Sequence, residues 1–291
     1  MKNTIRFIIN PISGGKNKTL VPQQIEQVCT KLNIQADICL SNSIQETIAQ
    51  AKEAVEQQYE TVVAVGGDGT INLIGAQLLH SSTALGIIPM GSGNGFARSL
   101  GMPFQFERAI KIIQSRKTVL IDTGTINEKP FINLSGAGFD AHIADKFQHS
   151  KSRGFFSYVN IVLREFNQYQ AQHYHLKLDD EQLETDAFLI TVCNGPQYGN
   201  NAFIAPAALM TDGRFHITVL KKCTWANAPG LAWRLFRGTI DLSKDVEQYS
   251  ASSVQIKRKN VGPINIDGEP DSEGTELNFK LIPLSLKVIV P

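Results

Sequence analysis

Apolar and polar positions along the first part of the chain switch between a strand rhythm and a helix rhythm. Thr4 to Ile9 is a β-branched and aromatic run, and the spacing of Val21, Ile25, Val28, Cys29 and Leu32 after it has helical period. Ile34 to Leu40 predicts a second strand. Ser43 with Glu46 then makes a capping box for a helix whose apolar side is Ile44, Ile48, Ala51 and Val55. Thr61 to Val65 is a short continuous apolar run ending on paired glycines, and Ile71, Ile74, Leu78 and Leu79 carry a helix beyond it. Ala84 to Ile88 is the next such run. Continuous apolar strands interleaved with helices predict a parallel sheet covered on both faces. Residues 1–120 are therefore expected to form one doubly wound α/β domain.

After Lys117 the rhythm changes. Val119 to Ile126, Phe131 to Ser135, Tyr174 to Leu178, Ala187 to Cys193, Phe215 to Leu220 and Ser253 to Lys257 read as strands, as do Ile264 to Asp267, Leu277 to Ile282 and Leu286 to Val290. Helical segments interrupt them at Phe155 to Tyr169 and Trp225 to Arg237. A mainly antiparallel β-sandwich over residues 121–291 is expected, with a return of the C-terminal end to the first domain left open. No internal repeat or low-complexity linker is visible, so the two domains are expected to share a cleft.

Composition narrows the function classes. Of 291 residues, 42% are hydrophobic and 19% charged, which is ordinary globular usage. Lys and Arg number 28 against 27 Asp and Glu, so no net field draws the whole molecule to nucleic acid or an acidic membrane. Cys29, Cys39, Cys193 and Cys223 lack CxxC spacing and sit in apolar runs, which suits buried thiols in a reducing cytoplasm. Met1 to Asn10 runs directly into a strand pattern without the features of a signal peptide. No apolar stretch approaches the ~20 residues that span a bilayer.

The candidate chemistry lies at the strand ends. In Gly66-Gly67-Asp68-Gly69-Thr70-Ile71-Asn72 glycines follow a strand and precede a helix, where open α/β sheets bind ligands. Without Cβ atoms the backbone N–H groups can approach phosphate oxygens, and the helix directs its positive end at them. Asp68 is paradoxical beside phosphate unless Mg²⁺ lies between them. The plain alternative is a tight turn with a solvated Asp. A second element, Pro89-Met90-Gly91-Ser92-Gly93-Asn94-Gly95-Phe96-Ala97-Arg98, offers Ser92 and Asn94 as donors and Arg98 as a phosphate partner. Its plain alternative is an N-cap at Asn94 with Arg98 solvated. The first loop, Asn10-Pro11-Ile12-Ser13-Gly14-Gly15-Lys16, lacks the Walker A pattern. Asp267-Gly268-Glu269 presents two carboxylates on one turn, as a general base for a hydroxyl requires; otherwise it is a surface hairpin tip. His173 and His175 alternate with Tyr174, Leu176 and Leu178, which puts them with Lys177 on the outer face of a strand, solvated.

Taken in order, these pieces resemble the diacylglycerol kinase catalytic family of lipid kinases, in the superfamily that includes NAD kinases and sphingosine kinases. The resemblance starts at Asn10-Pro11 with Ser13-Gly14 and runs through Gly66 to Asn72 and Gly91 to Leu100. It continues with Ile121-Asp122 and Gly124, Asn133 with Gly136-Ala137-Gly138-Phe139-Asp140, and Pro206 with Asp212-Gly213, and ends at Asp267-Gly268-Glu269-Pro270. It implies an ATP- and Mg²⁺-dependent phosphotransferase acting on a lipid hydroxyl, diacylglycerol or a related lipid, with catalysis in the cleft. Gly66 to Asn72, Gly91, Ser92 and Asn94 would contact ATP, Asp68 the nucleotide and magnesium, and Ser41 the nucleotide. Asp267 or Glu269 would supply the base and Asp122 would support the site. Leu209, Asp212 and Arg214 would hold a structural or regulatory divalent ion, where a plain β-turn is the alternative.

Two family carboxylates are missing, since Leu73 and Gly95 stand in their places, and Ala207 replaces a polar residue after Pro206. These losses leave a non-catalytic nucleotide-binding regulator as an alternative, and the shared Gly-Gly-Asp-Gly-Thr turn leaves a soluble-nucleotide kinase of NAD kinase type as another. The expected partner is a lipid substrate at a membrane surface, met peripherally from the cytoplasm; no nucleic acid is expected, and a homodimer stays open. Trp225, Leu231, Trp233, Leu235 and Phe236 with Arg234 and Arg237 suit an interfacial helix, although a helix packed on the sandwich is the favoured reading, since amphipathic helices more often face a core.

Overall fold

Each apolar run of the first third becomes a parallel strand, and each helical period between them becomes a crossover helix. The computed structural model describes residues 2–11, 20–150 and 155–291. The chain forms two units, Met1–Ile121 with Leu284–Pro291, and Asp122–Pro283. In the first unit the order is β1 (Lys2–Ile9), α1 (Val21–Lys31), β2 (Ala36–Leu40), α2 (Ile44–Glu56), β3 (Tyr59–Gly66), α3 (Asp68–Leu78), β4 (Ala84–Pro89), α4 (Gly95–Ser99) and α5 (Phe106–Ser115). The strands lie parallel in the order β2-β1-β3-β4, and Val288 near the chain's end pairs with Leu85 of β4. Val62, Val63, Ala64 and Val65 are fully buried, as continuous apolar strands between two helix layers require. α2 packs on α3, and α1 on α5.

The strand order reverses at β1, so the carboxyl ends of β1, β3 and β4 open the crevice where such sheets bind ligands. Asn10, Gly67 and Met90 emerge there. At the start of α2, Ser43 Oγ accepts from the Glu46 amide at 3.1 Å, and Glu46 reaches back to the Asn42 amide at 2.7 Å, one residue earlier than a standard box closes. Arg6 brings a buried charge into β1. It donates to Asp37 at 2.8 Å and Glu53 at 2.9 Å and lies over the Tyr59 ring, joining β1, β2, α2 and β3.

The second unit continues with β5 (Thr118–Ile126), which crosses out of the first, then β6 (Lys129–Phe131), β7 (Leu134–Gly138), α6 (Phe139–Gln148), α7 (Phe155–Phe166), β8 (Gln172–Leu178), β9 (Glu181–Ala187) and β10 (Leu189–Cys193). It closes with β11 (Phe215–Leu220), α8 (Ala228–Arg237), β12 (Val246–Ala251), β13 (Ser253–Arg258), β14 (Gly262–Ile266), β15 (Glu269–Glu273) and β16 (Glu276–Ile289), which re-enters the first unit. One antiparallel sheet runs β12-β11-β10-β7-β14-β15, and β16, β13, β8 and β9 pair antiparallel in the other. Phe131, Tyr174, Ile190, Phe215, Val254 and Phe279 fill the space between them. Phe131 stacks on Phe215 at 5.4 Å and meets Phe279 edge-on at 6.1 Å. On the far face of the first sheet, residues of α6, α7 and α8 pack on Leu134, Phe188, Leu189 and Leu220.

Several elements depart from expectation. The run from Phe131 to Ser135 is broken, because the amides of Ile132 and Asn133 are drawn to a side chain instead of a ladder. α6 was not expected; its Phe139, Ile143 and Phe147 spacing is helical but short. The polar strands β9, β12 and β15 had no apolar signal of their own. α8 starts at Ala228, not Trp225, and α7 ends at Phe166. All four cysteines are free; Cys29 and Cys193 are buried, and burial pushes the Cys29 thiol up to about 11. No helix among the described residues is long and apolar enough to cross a membrane.

Candidate functional site

In the first unit β3 delivers Gly66 to the crevice and Gly67 caps α3, so Asp68 stands in the first turn of that helix. A Cβ on Gly66 would fall 2.6 Å from the Thr70 side chain, and one on Gly91 would fall 2.7 Å from Gly67 Cα. The two loops therefore touch backbone to backbone, and only glycine permits it. Met90 N donates to Gly66 O at 2.8 Å, and Phe96 N donates to Asp68 Oδ1 at 3.3 Å. Asp68 thus joins the starts of α3 and α4. Thr70 Oγ1 is buried and has no hydrogen-bond partner among the described residues, a donor suited to an anionic ligand.

Ser92 is exposed at the tip of the second loop. Asn94 is not. It is buried in the left-handed conformation (φ 51°), with Oδ1 accepting from Gly91 N at 2.9 Å and Nδ2 donating to Gly91 O at 2.6 Å. Its side chain closes the loop. Arg98 also turns back, donating to Gly93 O at 3.1 Å and lying over the Phe104 ring at 4.3 Å. Ser41 is likewise engaged locally. It is buried at the end of β2, where its hydroxyl donates to Ser43 O at 3.0 Å and contacts Thr47 Oγ1, so it braces α2. Of the loop after β1, Ser13, Gly14, Gly15 and Lys16 lie outside the described residues.

The second unit carries Asp267 and Glu269. Asp267 and Gly268, with φ of 49° and 90°, form the two-residue link between β14 and β15. Asp267 is buried, and its carboxylate accepts from the amides of Ile132 at 2.7 Å and of Asn133 and Leu134 at 2.8 Å. Gly268 N donates to Asn265 Oδ1 at 2.8 Å. Glu269, two residues on, is exposed. The turn therefore separates its carboxylates into a structural one and a solvent-facing one.

Asp122 is buried in β5 and accepts from Gly213 N at 2.8 Å through Oδ2, while its own amide donates to Met210 O at 2.7 Å. It pins the loop that carries Leu209, Asp212 and Arg214. Asp212 Oδ1 accepts from Arg214 N at 3.0 Å, and Oδ2 lies 3.1 Å from His216 Nε2. The Arg214 guanidinium turns to Ser250 and Asp179. One carboxylate with the carbonyls of Leu209 and Arg214 is an oxygen donor set, which fits a hard divalent cation that keeps most of its waters.

Asp140, in the first turn of α6, had no assigned role in the sequence motif. It is buried, its Oδ2 lies 3.2 Å from the Tyr198 hydroxyl, and desolvation pushes its carboxyl up to about 6. It stands two residues after Gly138 (φ 110°), the residue that caps α6.

The architecture matches known proteins along nearly its whole length. Residues 4–126 match the model of the diacylglycerol kinase catalytic domain, and residues 134–290 that of the YegS C-terminal NAD kinase beta sandwich-like domain. A protein of Chromohalobacter salexigens described as "Probable lipid kinase YegS-like" is 32% identical over 228 residues, covering 76% of this chain and 73% of that protein. A diacylglycerol kinase of Staphylococcus saprophyticus is 27% identical over 289 residues, covering 96% and 94%. The crystal structure of a diacylglycerol kinase from Bacillus anthracis superposes with a TM-score of 0.75 at 19% identity, covering 99% of this chain and 97% of that one, a likeness of fold.

Proposed function

Since this chain belongs to the diacylglycerol kinase catalytic-domain family of lipid kinases, we propose that it transfers the γ-phosphoryl group of ATP to a lipid hydroxyl, on diacylglycerol or a related lipid. The observation that carries this reading is the joining of two glycine loops at the sheet crevice by Asp68. Backbone N–H groups of Gly66 to Asn72 and of Gly91 and Ser92 bind the phosphates, helped by the positive end of α3. Asp68 would hold Mg²⁺, which when bound neutralises charge on the phosphates. Glu269 accepts the hydroxyl proton as the new O–P bond forms and the bond from the γ-phosphorus to the ADP oxygen breaks. Asn94 and Arg98 hold the second loop in shape, and Asp122 and Asp267 position the acceptor-side segments. The Asp212 loop would hold a second divalent ion with a structural role.

The test is phosphoryl transfer from labelled ATP to a panel of diacylglycerol, sphingoid base, NAD and water. A phospholipid product is expected with a lipid acceptor. Transfer to NAD alone would move the protein to the soluble-nucleotide class, and ATP binding without turnover would make it a regulator.

A lipid acceptor needs a face that meets the bilayer, and α8 divides its side chains accordingly. Leu231 is buried and Leu235 half-buried on the sandwich, whereas Trp233 and Phe236 are 59% and 51% exposed. Arg237 lies over the Trp233 ring, and Trp225 and Leu242 are also exposed. Aromatic rings beside guanidinium groups suit the headgroup boundary of an anionic bilayer. Arg234 is partly buried against Thr239 O, so Arg237 is the better partner to reverse. Trp233→Ala with Arg237→Glu should reduce sedimentation with phosphatidylglycerol vesicles about 10-fold, since one lost basic contact is worth about 1 kcal/mol and a buried indole adds to it. ATP affinity should not change. Unaltered sedimentation of the folded variant would return this face to solvent.

A further inference from the structure

The outer face of β8 and β9 carries a cluster that phosphoryl transfer does not use. Alternation along β8 buries Tyr174, Leu176 and Leu178 and leaves His173 and His175 exposed. The polar strand β9 pairs antiparallel with it, setting Asp186 directly opposite His173 and Glu184 directly opposite His175. Directly opposed residues on one face are the closest cross-strand neighbours.

We propose that His173, His175 and Glu184 form a binding site for a borderline divalent cation such as Zn²⁺, with Asp186 orienting His173. One ligand atom from each of the three residues lies within 4.8 Å of the others. Asp186 Oδ1 is 2.8 Å from His173 Nδ1, which holds the ring proton on that nitrogen and leaves Nε2 as the lone-pair donor. That Nε2 stands 3.7 Å from Glu184 Oε2. Two ligands on a tetrahedral ion, each about 2.0–2.1 Å from it, lie roughly 3.4 Å apart, so the gap closes with a small side-chain rotation. His175 Nδ1 is 3.0 Å from Glu184 Oε1, which places the second imidazole on the same carboxylate.

The donor set selects the ion. Two imidazoles and a carboxylate suit zinc, cobalt, nickel or copper and are poor ligands for magnesium, whose sites are built from oxygen. Three protein ligands leave the fourth position to water. Two cations face the cluster. Lys257 on β13 is the register partner of His175 on the other side of β8, but its ammonium is held by Glu276 at 3.0 Å. Lys177 lies farther along the strand, opposite Gln182. Neither displaces the carboxylates from the imidazoles.

The experiment is calorimetric titration of the full, chelator-treated chain with Zn²⁺ at neutral pH, with Co²⁺ absorption as a spectroscopic check. One saturable Zn²⁺ site is expected, not displaced by millimolar Mg²⁺. His173→Ala with His175→Ala should abolish it, and Asp186→Asn should weaken it about 10–100-fold through loss of the orienting contact. All these positions are exposed, so circular dichroism should be unchanged. Absence of saturable Zn²⁺ binding by the wild-type chain overturns the proposal. So does equal binding by the double variant, which would place the ion elsewhere, for instance on Cys39 or Cys223.

Discussion

Replacing Glu269 by Gln is expected to lower kcat by about 10²–10⁴-fold, the usual contribution of a positioned general base, while leaving ATP affinity and stability intact. The basis is the contrast within one turn. Glu269 is exposed at the start of β15, whereas both oxygens of Asp267 are occupied by backbone amides. Asp267→Asn should therefore show a different defect. An amide group in place of one carboxylate oxygen would point a donor at the Ile132, or at the Asn133 and Leu134, N–H groups. Leaving such buried donors unpaired, and removing charge-assisted bonds, costs about 2–4 kcal/mol. Denaturant unfolding monitored on the second unit should report that loss. The pH profile adds a signature: a base must be ionised, so wild-type kcat/KM rises from the acid side to a plateau, and Glu269→Gln should lack this limb. A folded Glu269→Gln protein with wild-type kcat would remove Glu269 from the chemistry.

The unlike surroundings of these two carboxylates were not legible in the sequence, and the reason is physical. The partners of Asp267 lie more than 130 residues earlier in the chain, as the separations of 133 to 135 show. No local pattern announces hydrogen bonds of that range. The same contacts explain the broken run at Ile132-Asn133, where β-propensity is overridden by a carboxylate. The parallel strands and both glycine loops were legible, because continuous apolar runs and paired glycines carry their own cause. Ser41 and Asn94 show the limit of that reading. Ser41 follows β2 and Asn94 precedes α4, and each bonds within its own loop or helix cap, contacts that no apolar pattern announces. Arg6 was hidden for another reason, since a single charge in an apolar strand reveals its partners only once β2 and α2 are in place. The edge strands β9 and β15 expose most of their side chains, so they show no apolar face and form through pairing. Missing β9 meant missing that Asp186 and Glu184 stand opposite the two exposed strand histidines.

Asp68 provides the other large effect. Asp68→Ala is expected to reduce phosphoryl transfer about 10²–10³-fold, the scale of losing one charge-stabilising contact in a transition state. The alanine variant alone does not isolate the charge, because Asp68 also accepts from Phe96 N and so ties the two loops together. Asp68→Asn separates the roles. Asparagine keeps an oxygen for the Phe96 amide and therefore the loop geometry, but it loses the negative charge that would hold Mg²⁺. If the carboxylate serves the metal, the Asn variant loses activity nearly as fully as Ala and shifts its Mg²⁺ requirement upward, with an unchanged melting temperature. Leu73 and Gly95 sharpen this expectation, since both stand where a neighbouring carboxylate could have shared the ion. With those positions apolar or without a side chain, neither adds a carboxylate to that of Asp68, and Gly95→Asp in the Asp68→Asn background should raise the Mg²⁺ affinity. Wild-type turnover in a folded Asp68→Asn protein would reduce Asp68 to a loop brace and leave phosphate binding to the backbone alone.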